Sequence, residues 1–367
     1  MDYSIRPTYH YKPKSGWIND PNGLVYFGGY YHVFYQHAPN HERPWQEPMH
    51  WGHARTKDFL NWEELPVALY PDKEYDAGGC WSGTATVKDG ILYLIYASVS
   101  RPTGDERRTE SVSVAYSLDG VNFVKHPANP VIAGFPSDGC PDFRDPAVCK
   151  SADFYYCVMA SGHEKTQTAR LLLYKSTDLI NWSYSSVMAE WEAGRYAECP
   201  SFINCGDGFL LSTSVCPLKE RHYFTVSYGS FDGEKFTPTA TASIDKGPDQ
   251  YAGQIFRDHL GRNLMISWIP GWSYSKYYEK DLGCMSVPRE VLYENGKLRA
   301  YPPEELRHLL KCTDDAVEIT EKGFLIHRDG REDVVYEGRI ETLEFLRDSY
   351  VLEVFVNRGE EVYTALV

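Results

Sequence analysis

Thr56-Lys57-Asp58-Phe59-Leu60-Asn61-Trp62 returns three times along the chain. It recurs as Ser117-Leu118-Asp119-Gly120-Val121-Asn122-Phe123, Ser176-Thr177-Asp178-Leu179-Ile180-Asn181-Trp182 and Ser230-Phe231-Asp232-Gly233-Glu234-Lys235-Phe236. Each copy pairs a hydroxyl residue with Asp two positions on and an aromatic four further, and the Asp residues lie 61, 59 and 54 positions apart. Each copy follows a β-type run, such as 113–116 or 171–174. An Asp in this setting caps a tight turn through its own side chain, and the aromatic packs beneath it. The segment is therefore the outer hairpin of a repeated antiparallel sheet. Repeats of this length, built of short strands with little helix, predict an all-β protein, a β-propeller. Two β-sandwiches with coincidental turns would carry the same local signals.

Five such units take about 300 residues and reach Pro302-Pro303, although the fifth has no clean copy of the turn. The runs 30–35, 92–96, 154–158, 209–212 and 264–268 are β-branched or aromatic and read as the second strands of five successive blades. The expected organisation is a five-bladed propeller over residues 1–305 and a short, truncated β-sandwich-like module over 306–367. So short a tail supplies too little core to stand alone. It should pack on the propeller or pair with a second subunit as a homo-oligomer.

The net charge of −14 disfavours a nucleic-acid or anionic-membrane partner. The longest apolar run, Ile91 to Ala97, is far short of the ~20 residues a membrane helix needs. Residues 1–6 carry no secretory apolar region, and nine cysteines without a CxxC pair read as reduced thiols, so a cytoplasmic location is expected. No cofactor or metal motif is present. His50 and His53 lack ligand partners at metal-site spacing and read as packing residues.

A propeller presents its ligand site where the first strand of each blade meets the central channel. Asp20, Ser82, Asp145, Glu198 and Asp249 recur once per unit, at intervals of 62, 63, 53 and 51. Carboxylates converging on one axis are costly unless they do chemistry. Two of them at a sugar site imply glycosyl transfer, one attacking and one protonating the leaving oxygen. An Asp beside an Arg should stay ionised, whereas a Glu in an aromatic, drier setting should have a raised pKa. On this reading Glu198 is the acid/base and either Asp20 or Asp145 the nucleophile. Cys199 is expected to pack against the acid and tune it.

His10-Tyr11-Lys12-Pro13-Lys14-Ser15-Gly16-Trp17-Ile18-Asn19-Asp20-Pro21-Asn22-Gly23 resembles the signature of glycoside hydrolase family 32, the invertases and β-fructofuranosidases. Trp81-Ser82-Gly83, Arg144-Asp145-Pro146 and Glu198-Cys199 follow in that family's order. Met49 to His53, Met285 to Glu290 and Leu346 to Val356 are similar to further segments of it. The resemblance implies release of fructose from β-fructofuranosides, such as sucrose, with retained configuration through a covalent fructosyl-enzyme. It implies Asp20 as nucleophile, Glu198 as acid/base, and Asp145 with Arg144 holding fructose hydroxyls and stabilising the transition state. It places Asn19, Gln36 and Ser82 on the fructose, Trp45 and Trp81 as aromatic walls, and Asp249 near the leaving group. Trp81 stands where many members carry Phe. A fructosyltransferase, levanase or inulinase would use the same pocket, and a catalytically dead sugar-binding propeller would have no need to keep all three carboxylates. Arg101, Arg107 and Arg108 are candidates for a phosphate on the leaving sugar, and Tyr274, Tyr277 and Tyr278 for outer subsites.

Overall fold

The computed structural model describes residues 6–41, 47–102, 107–192, 194–217, 223–269, 283–328 and 330–367. Five antiparallel sheets follow one another along the chain. Their innermost strands are Trp17–Phe27, Gly79–Lys88, Arg144–Ser151, Gly194–Asn204 and Tyr251–Arg257. Each of these lies beside the next, and Tyr251–Arg257 returns to lie beside Trp17–Phe27, closing the ring of a five-bladed propeller. Apolar side chains fill the space between blades. Ile95, Val112, Val114, Phe143, Met159 and Leu172, for example, form one cluster between the second and third.

The repeated turn joins the third and fourth strands of each of the first four blades. In the first, Asp58 Oδ1 accepts the amides of Leu60 and Asn61 at 2.9 and 2.8 Å, and Thr56 Oγ1 accepts that of Phe59 at 3.0 Å. Asp119, Asp178 and Asp232 repeat the cap. The fifth blade turns instead at Asn295-Gly296, both with positive φ. The predicted second strands all fall in that position.

All five innermost strands break register at the same level, between Ile18 and Pro21, Cys80 and Gly83, Arg144 and Ala147, Glu198 and Ser201, and Tyr251 and Gln254. A bulge re-aims side chains and raises local twist. Here it turns one residue per blade toward the channel mouth, with Asp145, Cys199 and Ala252 at φ of 58°, 46° and 51°. Gly83 shows how tight the bulge is: a Cβ there would lie 2.1 Å from the carbonyl oxygen of Ile95.

After the 3-10 helix Glu304–Leu309 come two three-stranded sheets, Val317–Ile319 with Gly323–Ile326 and Val334–Glu337, then Leu343–Asp348 with Val351–Val356 and Glu361–Leu366. Phe324, Tyr336, Phe345, Val354 and Tyr363 give this module a small core of its own. Buried charges then tie it to the propeller. Arg289 reaches Asp245 at 2.6 Å and Glu353 at 2.8 Å. His10 reaches Asp348 and Glu353, both at 3.0 Å. The tail thus lies against the propeller, one of its two expected positions.

Burial by itself would lower the pKa of His10, but its bonds to Asp348 and Glu353 outweigh burial and raise it to about 9. A group raised on folding stabilises below its unfolded pKa, here 6.5, and that contribution disappears as pH rises through 9. The expected loss between those values is up to about 3 kcal/mol. Denaturation midpoints from pH 6 to 10 check this. The decline should flatten in a His10→Gln variant, and an equal decline in both proteins would assign it to other groups.

Candidate active site

The channel mouth on the bulge side opens into a cavity of about 380 Å³ lined by twelve residues, among them Asn19, Asp20, Gln36, Trp81, Ser82, Arg144, Asp145 and Glu198. Eight of the ten residues singled out from sequence therefore share one pocket. Its size suits a small ligand. The opposite mouth holds a cavity of about 370 Å³ whose one carboxylate, Asp258, is paired with Arg262.

Asp20 accepts from Ser82 Oγ at 3.1 Å and from Cys199 Sγ at 3.3 Å, both on Oδ2. Asp145 Oδ2 accepts the backbone amide of Cys199 at 2.9 Å. Glu198 is held on both oxygens: Arg144 Nη2 at 2.9 Å on Oε1, and Tyr251 Oη at 2.6 Å with Cys216 Sγ at 3.0 Å on Oε2. Gln36 donates to the carbonyl of Cys80 at 3.0 Å. Asn19 is buried, and its Oδ1 has no partner among the described residues. It is an acceptor placed for a ligand hydroxyl.

Three expectations change. Asp249 does not reach the pocket. It is buried against the C-terminal module, where it meets Arg328 at 2.6 Å, Arg331 at 3.3 Å and the amide of Leu366 at 2.8 Å. It precedes the fifth innermost strand, and Tyr251, two residues on, supplies that blade's pocket group instead. A signal was there: Tyr251 follows Glu198 at 53 residues, the interval that separates Asp145 from Glu198.

Cys199 contacts the two aspartates, not Glu198. The thiol on the glutamate belongs to Cys216.

The third change is electrostatic. Arg144 does not fold back on its chain neighbour Asp145 but reaches across to Glu198 on the next blade. Burial would raise Glu198, yet Arg144, Cys216 and Tyr251 outweigh it and hold its pKa below the usual value. Burial raises Asp20 to about 6, helped by repulsion from Glu198. Burial also raises Asp145 to about 7, with Arg144 offsetting only part of it. Burial thus raises both aspartates while the glutamate is held low.

Tyr196, Asp142 and Arg108 complete the pocket wall alongside Tyr251. None of these was singled out for the fructose site. Trp45, Tyr274, Tyr277 and Tyr278 lie outside the described residues. His53 stacks on Phe34 at 4.1 Å and bonds His32 at 2.9 Å, a packing role, and no group of metal-binding side chains occurs among the described residues.

The model of the glycosyl hydrolases family 32 N-terminal domain matches residues 10–302. This chain belongs to glycoside hydrolase family 32. It is 36% identical over 326 residues to the sucrose-6-phosphate hydrolase of Zymomonas mobilis, covering 83% of this chain and 63% of that one. It is 35% identical over 323 residues to the raffinose invertase of Escherichia coli, covering 83% and 66%. The chain thus spans just under two thirds of the length of these curated relatives. In structure it is similar to a Bombyx mori GH32 β-fructofuranosidase mutant in complex with sucrose, with a TM-score of 0.84, 28% identity, and coverage of 99% of this chain and 89% of that one. No helix among the described residues is long and apolar enough to cross a membrane.

Proposed function

We propose that the chain is a retaining glycoside hydrolase that releases fructose from β-fructofuranosides of the sucrose type, phosphorylated or not. The observation that carries this reading is the convergence of Asp20, Asp145 and Glu198, from three separate blades, in one pocket. Family membership and the names of the relatives support it.

Asp20 is the nucleophile. Ser82 and Cys199 direct hydrogen bonds at one oxygen, which fixes the carboxylate. Glu198 protonates the departing oxygen and then activates water, as microscopic reversibility requires. Asp145, Asn19 and Gln36 hold fructose hydroxyls. Arg144 couples the two halves, since sugar hydroxyls that engage it weaken its hold on Glu198. A proton held by the raised aspartates then passes to the glutamate, where the leaving oxygen needs it. Nine cysteines, none of them in a disulfide, support a cytoplasmic setting.

A hydrolysis panel of sucrose, sucrose 6-phosphate, kestose, inulin and levan tests the reading. Fructose from the first two supports it. Release only from the polymers would make the chain a fructan exohydrolase, as the 34% identity to the levanase of Bacillus subtilis allows. Longer products at high sucrose would make it a fructosyltransferase.

The titration pattern gives a pH prediction. Below about 6 Asp20 takes up a proton and cannot attack, and above about 7 the last shared proton leaves. The profile of kcat/KM is expected to be bell-shaped with its optimum between these limbs. Glu198→Gln should remove the alkaline limb from the residual activity. A profile level from pH 5 to 9 would contradict this assignment of protons.

A further inference from the structure

The strand Phe209–Pro217 pairs with the innermost strand of the fourth blade and holds Glu198 at two points. Thr213 Oγ1 donates to the Glu198 carbonyl at 3.0 Å and fixes the backbone. Three residues on, Cys216 Sγ donates to Glu198 Oε2 at 3.0 Å and fixes the carboxylate. Tyr251 Oη, from the fifth blade, donates to the same oxygen at 2.6 Å. Cys216 and Tyr251 are both buried, with sulfur and phenol oxygen 3.3 Å apart. Burial, with the charge of Glu198 beside them, pushes both pKa values far up, so thiol and phenol keep their protons and stay donors.

A carboxylate oxygen has two lone-pair sites. On Oε2 both are taken by these donors. Oε1 meets only Arg144 Nη2 among the described residues, at 2.9 Å. The two oxygens are therefore unequal. Oε2 faces fixed protein donors, whereas Oε1 faces a cation that itself lines the pocket. Asp142 and Glu110 share that cation with Glu198. Asp20, Asp145, Tyr196 and Cys199 also face Glu198, through charge and without a hydrogen bond to its carboxylate among the described residues.

We propose that Cys216 is a positioning residue which, together with Tyr251, reserves Oε2 as an acceptor and so makes Oε1 the oxygen that carries the catalytic proton. This rests on the hydrolase reading above and names the atom within it. Substrate hydroxyls that draw Arg144 away free Oε1, which takes up the proton. As Asp20 bonds the anomeric carbon, the bond from that carbon to the leaving oxygen breaks. Its electron pair stays on the oxygen, and Oε1 delivers the proton there. Oε1 then takes a proton from the attacking water. Without the thiol, one lone pair of Oε2 opens, and a proton placed on it sits on the buried side of the carboxyl, where the leaving oxygen does not meet it.

Cys216→Ala and the bulkier Cys216→Val test this, with Cys216→Ser as the rescue, because a hydroxyl still donates. Profiles of kcat/KM against pH are measured on sucrose and on β-fructofuranosyl fluoride, whose leaving group needs little protonation. Ala and Val should lose about 3- to 10-fold on sucrose and much less on the fluoride. The alkaline limb on sucrose should move up by about one unit, because a donor to the charged form has gone. Ser should recover most of both effects. Equal losses on the two substrates would reduce the thiol to a packing group. That result, an unmoved alkaline limb, or a Ser variant no better than Ala would each overturn the proposal. Infrared titration of the Glu198 carboxyl, assigned by difference against Glu198→Gln, needs no turnover. If no substrate releases fructose, the hydrolase reading fails. An upward shift of that titration in Cys216→Ala would then still support the hold of the thiol on Oε2, and no shift would overturn it.

Discussion

Alanine at position 20 or at position 198 is expected to lower kcat by at least about 10³-fold with the fold intact. Asp20, the proposed nucleophile, is the carboxylate that Ser82 and Cys199 fix on one oxygen. Glu198 is the carboxylate gripped at both ends by Arg144, Cys216 and Tyr251. Azide separates the two roles. With Ala at 20 it attacks the substrate itself and gives a fructosyl azide of inverted configuration. With Ala at 198 it attacks the fructosyl-enzyme and gives the retained one. Turnover within a few-fold of wild type in either variant would sink the assignment, and circular dichroism guards against loss of folding. Asp145→Ala should also be severely impaired but without azide rescue, because the role proposed for Asp145 is to hold fructose hydroxyls and not to bond the anomeric carbon.

Arg289→Met is expected to cost about 3–5 kcal/mol of unfolding free energy. Arg289 is fully buried and makes four charged or polar contacts across the seam between the fifth blade and the C-terminal module. It meets Asp245 at 2.6 Å, Glu353 at 2.9 and 2.8 Å, and Thr364 at 2.6 Å. Removing the cation leaves Asp245 and Glu353 buried, with only His10 to balance Glu353. Such a loss leaves uncompensated charge in a dry place and costs more than the pair itself contributed. Urea denaturation reads the effect. The double variant Arg289→Met, Glu353→Gln should lose less than the two singles together, because the groups share one network. A shift under about 1 kcal/mol in Arg289→Met would show that the seam does not depend on this charge.

The propeller was legible in the sequence because its signal is local. Asp58, Asp119, Asp178 and Asp232 each cap amides two and three residues ahead, so the motif and its hydrogen bonds occupy one short window. The once-per-blade spacing of Asp20, Ser82, Asp145 and Glu198 followed from the same repeat, since each sits at the bulge of an innermost strand. Even the silent fifth turn had a reason, because Asn295-Gly296 closes that hairpin by backbone conformation and without an Asp cap.

What sequence could not decide was where a side chain points once the bulge has turned it. Asp249 and Tyr251 are two residues apart, yet one is buried against Arg328 and the other bonds Glu198. Arg144 is the chain neighbour of Asp145, yet it pairs across blades and helps hold Glu198 low while burial raises the aspartates, the reverse of the expected order of acidity. Arg101 and Arg108 share a loop, but only the second is caught between Trp81 and Glu110. The charged seam that joins His10, Arg289 and the C-terminal module links residues more than 300 positions apart. The sequence alone determined the repeat, the strands and the set of carboxylates, because those depend on contacts within a few residues. Which side chains partner one another was decided by tertiary structure, because that depends on which long side chain crosses from one blade to the next.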